Sequence, residues 1–523
     1  MTDLSHSPPF RLISLTKIKQ PALLGLLGLL VGRLVLQLNL YRIGFESLTA
    51  DDFGRTLLAA HWAEAPYLAW DGFWPPFHMY LHGIALKLSW NLYDTPRIIN
   101  TILGMAAIIL IYYLTLELFQ SRTAALVSAA LLTVNPVHLW LSATTLTELP
   151  QSTLALAAIL TFILYLKRRA PRYLYFSSLA LALGNGFRYE SWMISIVFSL
   201  YLGLEIIQGL RRRDWRDRTV LHLAAAAIVP WLFPLAWMIG NQIAHDNFLY
   251  FMAFTTNDKF TRYGPDSSYG FYWPWLLLVD PFTTILVSFI AGITLWQYRR
   301  SKPLRWIILI AVAPFLIFLY LHGGQIDLPG NYLRYLAPFF FPFYPLMAYA
   351  INRGMEKVTT KPARRVAGVG IVVGLISLTQ LGTAFQFVQA LQGFDAGERI
   401  RALRLEEEEL SQRPVMIELI YWEQLAVHVG ANDISPLILY DRPFDPQKQS
   451  SSLFLTDSET IRNCLALHHI SYLLLKSPEL IAAAEEALEL SPTEQVDGYS
   501  FYKIPLDLHA DPTPTCPFTL ESY

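Results

Sequence analysis

Eight residues carry the polar chemistry that a largely apolar chain of 523 residues has to offer. Asp51 and Asp52 stand together at the start of the helical stretch Asp-Asp-Phe-Gly-Arg-Thr-Leu-Leu-Ala-Ala-His-Trp. Glu148 precedes Pro150, Arg188 and Glu190 flank Tyr189, Arg334 adjoins Tyr335, and His78 follows Trp74-Pro75-Pro76-Phe77. Paired carboxylates can divide the work of a general base and of substrate positioning, or hold a divalent cation, for which Asp52 and Glu148 would be the ligands. A lone arginine at the membrane surface is suited to grip a phosphate. Each residue also has a plainer reading. One of the two aspartates can cap the helix, Glu148 can offset a helix dipole, Arg188 and Glu190 can pair with each other, and Arg334 can snorkel.

The elements that must position these residues are membrane spans. Apolar residues make up 54% of the chain and charged residues 15%, beyond the ordinary soluble range on both counts. Runs such as 97–119, 191–209 and 364–387 reach the ~20 residues that cross a bilayer. Spans are expected near 21–40, 97–119, 122–141, 150–166, 172–187, 191–209, 219–240, 273–297, 304–322, 335–352 and 364–387. The run 21–40 ends without a small-residue cleavage site and reads as a retained first span.

Sidedness follows from the basic loops, which stay cytoplasmic. Clusters lie at 11–19, at Lys167, Arg168, Arg169 and Arg172, at 211–218, at 299–305 and at 353–365. They agree on one orientation only if 77–93 does not cross. That segment is short, opens on Pro75-Pro76, contains His78, His82, Lys87 and Asn91, and is read as an interfacial or re-entrant helix. Eleven crossings result, in a cell (inner or plasma) membrane. Residues 1–20 are then cytoplasmic, 21–394 form the membrane domain with 41–96 as its first outer loop, and 395–523 lie outside.

The tail differs in kind. From residue 395 onward there are 22 acidic and 9 basic residues, whereas the remainder carries 19 acidic and 31 basic, so an acidic unit follows a basic membrane body. Apolar runs at 415–419, 437–440 and 472–475 alternate with helical patterns and precede a hairpin around Gly498, which predicts a soluble α/β domain. Cys464 and Cys516 are its only cysteines. They can form a disulfide if the tail is exported, or stay as two thiols. No Walker loop or dinucleotide fingerprint appears, and no nucleic-acid partner is expected. An activated substrate would have to come from the lipid phase.

In order and sidedness these motifs resemble the GT-C glycosyltransferases, in the broad group of protein O-mannosyltransferases and lipid A aminoarabinose transferases (glycosyltransferase family 39-like). The resemblance rests on Asp51-Asp52, Trp74-Pro75-Pro76-Phe77-His78, Arg97, Leu118-Phe119, Arg122, Glu148, Arg188-Tyr189-Glu190 and Arg334-Tyr335. It implies a multi-pass fold and a polyprenyl-phosphate sugar donor. It also implies transfer to a lipid, glycan or protein acceptor on the extracytoplasmic face. Asp51 or Asp52 would be the base and Glu148 the second acid. His78, Arg188, Glu190, Arg334 and Tyr335 would bind substrate, and a divalent cation is a conceivable cofactor. Relatives commonly carry Asp where Glu148 stands and Lys or Arg where His78 stands; a neutral imidazole is a poor phosphate ligand. Two other classes compete. A lipid or polysaccharide transporter or flippase would need charges along a mid-span path. A noncatalytic scaffold with an exported recognition domain would leave the outer-face charges without a cause.

Overall fold

The computed structural model describes residues 20–254, except 44, 46, 48, 50 and 213–216, together with 292 and 334–391; of the tail it describes 414–418, 432, 438–441, 444–445, 450–496, 499–505, 516 and 521–522. The expected spans 273–297 and 304–322 and the tail helices at 398–411 and 421–429 lie outside the described residues.

The first helix, α1 (Gln20–Arg42), shows why a bilayer is needed. Leu23, Leu24, Leu27, Val31, Val35 and Leu38 are all exposed, a burden in water that lipid removes. Its one buried cation, Arg33, turns inward and donates to the backbone oxygens of Thr133 (2.9 Å) and His138 (2.8 Å). Those carbonyls flank a break between α5 (Arg122–Val134) and α6 (Pro136–Ala143), whose axes differ by 61°. Asn135 and Pro136 make the break. The Asn135 side chain caps α6 by accepting from the His138 amide, and Pro136 occupies the first helical turn, where it lacks no bond. The segment 122–141, expected as one span, is therefore a bent pair, and Arg33 satisfies carbonyls the bend exposes.

Five described helices are long and apolar enough to cross a membrane, six if the bent pair is one span. They include α1, α4 (Asp94–Phe119), α7 (Glu148–Arg168) and α9 (Glu190–Arg212), and a fifth run, Thr219–His245, made of α10 (Asp217–Ile228), a 3-10 turn at Pro230 and α11 (Leu232–His245). Helix α8 (Pro171–Asn185) has only 15 residues, fewer than a crossing ordinarily needs. Helices α12 (Tyr344–Val358) and α13 (Pro362–Leu391) follow a run of short turns at 334–343. The core runs through α4, α5, α7 and α12, with Ile108, Tyr112, Leu132, Ile159, Phe339 and Tyr344 among its buried side chains.

Between α1 and α4 the chain makes two helices too short to cross: α2 (Asp51–Glu64) and α3 (Phe77–Leu88). The 12 residues of α3 rise only ~18 Å. One face buries His78, Met79, His82 and Leu86, while Ile84 and Leu88 are exposed. The start of α3 is fastened to the α8–α9 turn, where the Phe77 amide donates to the Gly186 oxygen at 3.0 Å. A Cβ at 186 would stand 2.4 Å from the Phe77 ring, so only glycine permits this approach.

In the tail a mixed six-stranded sheet has the order β6-β7-β5-β1-β2-β8. Strand β1 (Val415–Glu418) runs parallel to β2 (Ile438–Asp441) and β5 (Tyr472–Leu475). The hairpin of β6 (Glu494–Val496) and β7 (Tyr499–Lys503) extends one edge antiparallel and β8 (Glu521–Ser522) closes the other. A separate two-stranded ribbon pairs β3 (Phe444–Asp445) with β4 (Ser450–Ser451). Buried Met416, Leu473 and Leu475 pack with α14 (Ser458–Leu467) and α15 (Pro478–Leu488). Buried on both faces, β1 and β5 read as continuous apolar runs. Of the two open cysteine readings, the structure has the pair: Cys464 and Cys516 are disulfide-bonded.

Candidate active site

Four separate parts of the chain meet at the ends of the packed helices. The first turn of α2 brings Asp51, the first turn of α7 brings Glu148, the turn into α9 brings Arg188 and Glu190, and the 3-10 turn Arg334–Leu336 brings Arg334 and Tyr335. Carboxylates at three helix N-termini sit where the dipole favours negative charge.

The side chains form an alternating chain of charge. Arg334 Nη2 donates to Asp51 Oδ2 and, at 2.9 Å, to the Tyr335 hydroxyl. Its Nε lies 3.1 Å from Glu148 Oε1. The same oxygen accepts from Arg188 Nη1 at 2.9 Å, and Arg188 forks onto Glu190 with contacts of 2.8 and 3.0 Å. Both guanidinium carbons lie over the Tyr335 ring, 4.4 Å away for Arg188 and 4.9 Å for Arg334. Six of the eight residues singled out by sequence thus belong to one network. Arg188 does pair with Glu190, and it also reaches Glu148.

Burial and charge oppose each other in this network. Burial alone would raise the Asp51 carboxyl, but Arg334 and Arg55 hold it below the ordinary carboxylate value. Burial works against the Arg188 and Arg334 cations too, and is outweighed by Glu148 and Glu190 for the first and by Tyr335, Glu148 and Asp51 for the second. The Asp51 side chain is still a third exposed, whereas Glu148 is fully buried. Asp51 is therefore the carboxylate of the network that an incoming molecule can reach.

Asp52 faces elsewhere. Its side chain has no exposure, Oδ2 lies 2.8 Å from Arg97 Nη2, and Oδ1 accepts from both the amide and hydroxyl of Thr145. Thr145 also donates to the Asp52 backbone oxygen at 2.7 Å. Asp52 thus clamps α2 to α4 and to the buried segment 144–147. At the start of the helix the Asp51 amide donates to Thr49 Oγ1, at 3.4 Å. A shared cation between Asp52 and Glu148 does not match this geometry: the two carboxylates face different arginines. Among the described residues no three His, Cys, Asp or Glu side chains gather as metal ligands.

His78 is also outside the network. It is 1% exposed, its Nδ1 is 3.2 Å from the Pro75 oxygen, and burial, followed by the nearby Arg55, pushes its pKa well down. The ring is neutral at physiological pH, so it is no phosphate cation. His82, 3.2 Å from Asn100 Oδ1, is likewise pushed down to about 4 by burial. One cation escaped the sequence reading: Arg55, 5% exposed on α2, with its guanidinium 4.2 Å over the Trp74 ring. Its spacing of four from Asp51 was the available signal.

This architecture is known from other proteins. The ArnT protein of Cupriavidus metallidurans bound to undecaprenyl phosphate superposes with a TM-score of 0.62 at 13% identity, over 92% of this chain and 99% of that one. Its apo state gives 0.58 at 12% identity with the same coverage. The oligosaccharyltransferase AglB of Archaeoglobus fulgidus, in complex with an inhibitory peptide and a dolichol-phosphate, gives 0.50 at 14% identity, over 92% of this chain and 75% of that one. The chain has the GT-C fold. It is accordingly a multi-pass membrane protein. Residues 74–237 match the dolichyl-phosphate-mannose-protein mannosyltransferase family. Within the GT-C fold that match holds His78, Glu148, Arg188 and Glu190, while Asp51 and Arg334 lie outside it. No curated protein matches the chain in sequence.

Proposed function

We propose that the protein is a membrane glycosyltransferase that moves a sugar from a polyprenyl-phosphate donor to an acceptor on the extracytoplasmic face. The observation that carries this reading is the Asp51–Arg334–Glu148–Arg188 chain of contacts, in which a reachable carboxylate touches an arginine that has a donor to spare. Arg334 Nη1 is buried and has no partner among the described residues. A phosphate oxygen is the acceptor such a guanidinium suits best. ArnT was captured with undecaprenyl phosphate and AglB with a dolichol-phosphate, which supports a lipid phosphate as the ligand.

The chemistry balances with these groups. The acceptor hydroxyl or amine attacks the anomeric carbon, the bond from that carbon to the phosphate oxygen breaks, and the lipid phosphate departs with the electron pair. Asp51 takes the acceptor's proton, and Arg334 steadies the growing charge on the phosphate. Glu148, locked between Arg334 and Arg188, sets the angle of both cations. Arg188 and Glu190 border the acceptor's approach, and Tyr335 carries both guanidinium planes on its ring. Asp52 holds α2 in place.

The orientation follows the basic loops: N-terminus inside, site and tail outside, in the cell membrane. The Cys464–Cys516 bond supports an exported tail, since disulfides persist in oxidising compartments. Purified protein is expected to transfer label from a radiolabelled polyprenyl-phosphate sugar, and Asp51→Asn to abolish it. Lipid movement between leaflets without transfer would favour a flippase instead.

A further inference from the structure

Arg55 is a cation with a donor unspent. It is 5% exposed and its Nε is buried without a partner among the described residues. The neighbouring arginines have oxygens to hold: Arg97 has Asp52 and the Tyr93 carbonyl, Arg188 has Glu148 and Glu190, and Arg334 has Asp51, Glu148 and the Tyr335 hydroxyl. Arg55 lies against the face of Trp74, at 4.2 Å, and makes no hydrogen bond to a carboxylate among the described residues, with Asp51 and Glu148 acting on it only through space. A guanidinium withdrawn from water with so little in return is expensive. Such an arrangement is explained if an anion becomes available at another stage.

The Arg334 contacts indicate that stage. A guanidinium grips phosphate with two N–H groups along one edge. Its two outward edges are Nε with Nη2 and Nη1 with Nη2, and both include Nη2. That nitrogen is the one holding Asp51. Because Nη2 also donates to the Tyr335 hydroxyl, a forked grip on phosphate displaces one of its two N–H groups, and where that is the one on Asp51 it draws Arg334 away from the carboxylate. The carboxylate is then left, without its main cation, at the moment it must be ionised to accept a proton. Arg55 lies four residues along the same helix, a spacing at which side chains meet.

We propose that Arg55 is a positioning residue for Asp51: when a lipid phosphate draws Arg334 away, the Arg55 guanidinium takes over the carboxylate and keeps it oriented toward the acceptor. The inference rests on the donor reading above. Trp74 provides the resting seat, from which the guanidinium can turn. The other charged and titratable groups around Asp51 do not supply this function. Arg188 is committed to Glu148 and Glu190, Tyr335 is bound to Arg334, and His78 of α3 is neutral.

The test follows the Asp51 carboxylate itself by infrared difference spectroscopy, wild type against Asp51→Asn, titrated with and without undecaprenyl phosphate. Without the lipid, Arg55→Gln should titrate only slightly higher than wild type, because Arg334, the stronger of the two cations acting on Asp51, still holds it. With the lipid bound, Arg55→Gln should titrate about one to three pH units higher than wild type, the effect of losing a close opposite charge. Arg55→Lys should restore the wild-type curve. Arg55→Met, which preserves packing on Trp74, replaces the Gln variant if that one fails to fold. A lipid-bound midpoint unchanged by Arg55→Gln, while Arg334→Ala still weakens the lipid, would overturn the role of Arg55 alone. Equal undecaprenyl phosphate affinity in wild type and Arg334→Ala would overturn the donor reading, and this inference with it.

Discussion

Adjacent aspartates on α2 have opposite fates. Asp51 reaches the open side of the charge network, and Asp52 is sealed against Arg97 and Thr145. Their Asn variants should separate cleanly. Asp51→Asn keeps size and removes the base, so the folded protein should bind donor and lose ~10²–10⁴-fold in turnover. Asp52→Asn leaves Arg97 as an uncompensated buried charge. It should cost about 3–5 kcal/mol of stability, read as a lower melting temperature in detergent, with turnover per folded molecule far less affected. Near-wild-type transfer by Asp51→Asn would remove it from the reaction. Arg334→Ala should weaken polyprenyl-phosphate binding by the ~1.5–3 kcal/mol of a charge-assisted hydrogen bond, measured by titration with the lipid, and Arg334→Lys should recover part of it. Unchanged affinity in both would leave Arg334 as an anchor.

Helix starts and one helix break decide where those side chains stand. Glu148 is placed by α7, whose start is reached through α6 and the buried threonines 144, 145 and 147. Asn100 ties down that segment by donating to the oxygens of Thr144 (2.6 Å) and Leu146 (3.2 Å). Arg33, from a different helix, fixes the α5–α6 break that precedes it. Arg33→Leu should therefore take the arginine donor from the buried Thr133 oxygen, while the His138 oxygen keeps the Ser142 hydroxyl at 2.7 Å, and cost about 1–3 kcal/mol. The expected readout is a reduced melting temperature together with lower turnover, since Glu148 would lose its support. A variant as stable and as active as wild type would show that the break holds without Arg33.

At the scale of the whole molecule, a basic membrane body is joined to an acidic tail. Asn432 of the tail meets the loop after α3, accepting from the Leu92 amide (2.8 Å) and the Trp90 indole (3.3 Å). A reporter placed at 214 should report inside and one after 395 outside, while tags just before 41 and just after 94 should share a side. An inside tail would reverse the orientation and remove the proposed site from the extracytoplasmic face. Cys464→Ser should destabilise the tail in the full chain by about 2–4 kcal/mol, seen as earlier proteolysis of the tail. Reductant should mimic it in wild type and change nothing in the variant.

What the sequence by itself determined is what depends on short-range pattern. Apolar runs of bilayer length, the short helix α3 marked by its prolines and histidines, and the alternation of strands and helices in the tail need no knowledge of distant neighbours. The identity of most network residues was also legible, because charges are scarce in so apolar a chain. Pairing was beyond its reach. Asp51 and Arg334 are 283 positions apart, and nothing local says that Asp51 would face Arg334 while Asp52 turns to Arg97. Successive helical residues point about 100° apart, so neighbours meet different walls, and only the packed helices decide which wall each one meets. The same holds for His78, which burial, helped by the nearby Arg55, makes neutral, for the size of the bend at Asn135-Pro136 within the largely apolar run 122–141, and for Arg55. Its sequence position gave its distance from Asp51 along the helix, but only the tertiary structure set its guanidinium against Trp74, with its Nε unpartnered among the described residues.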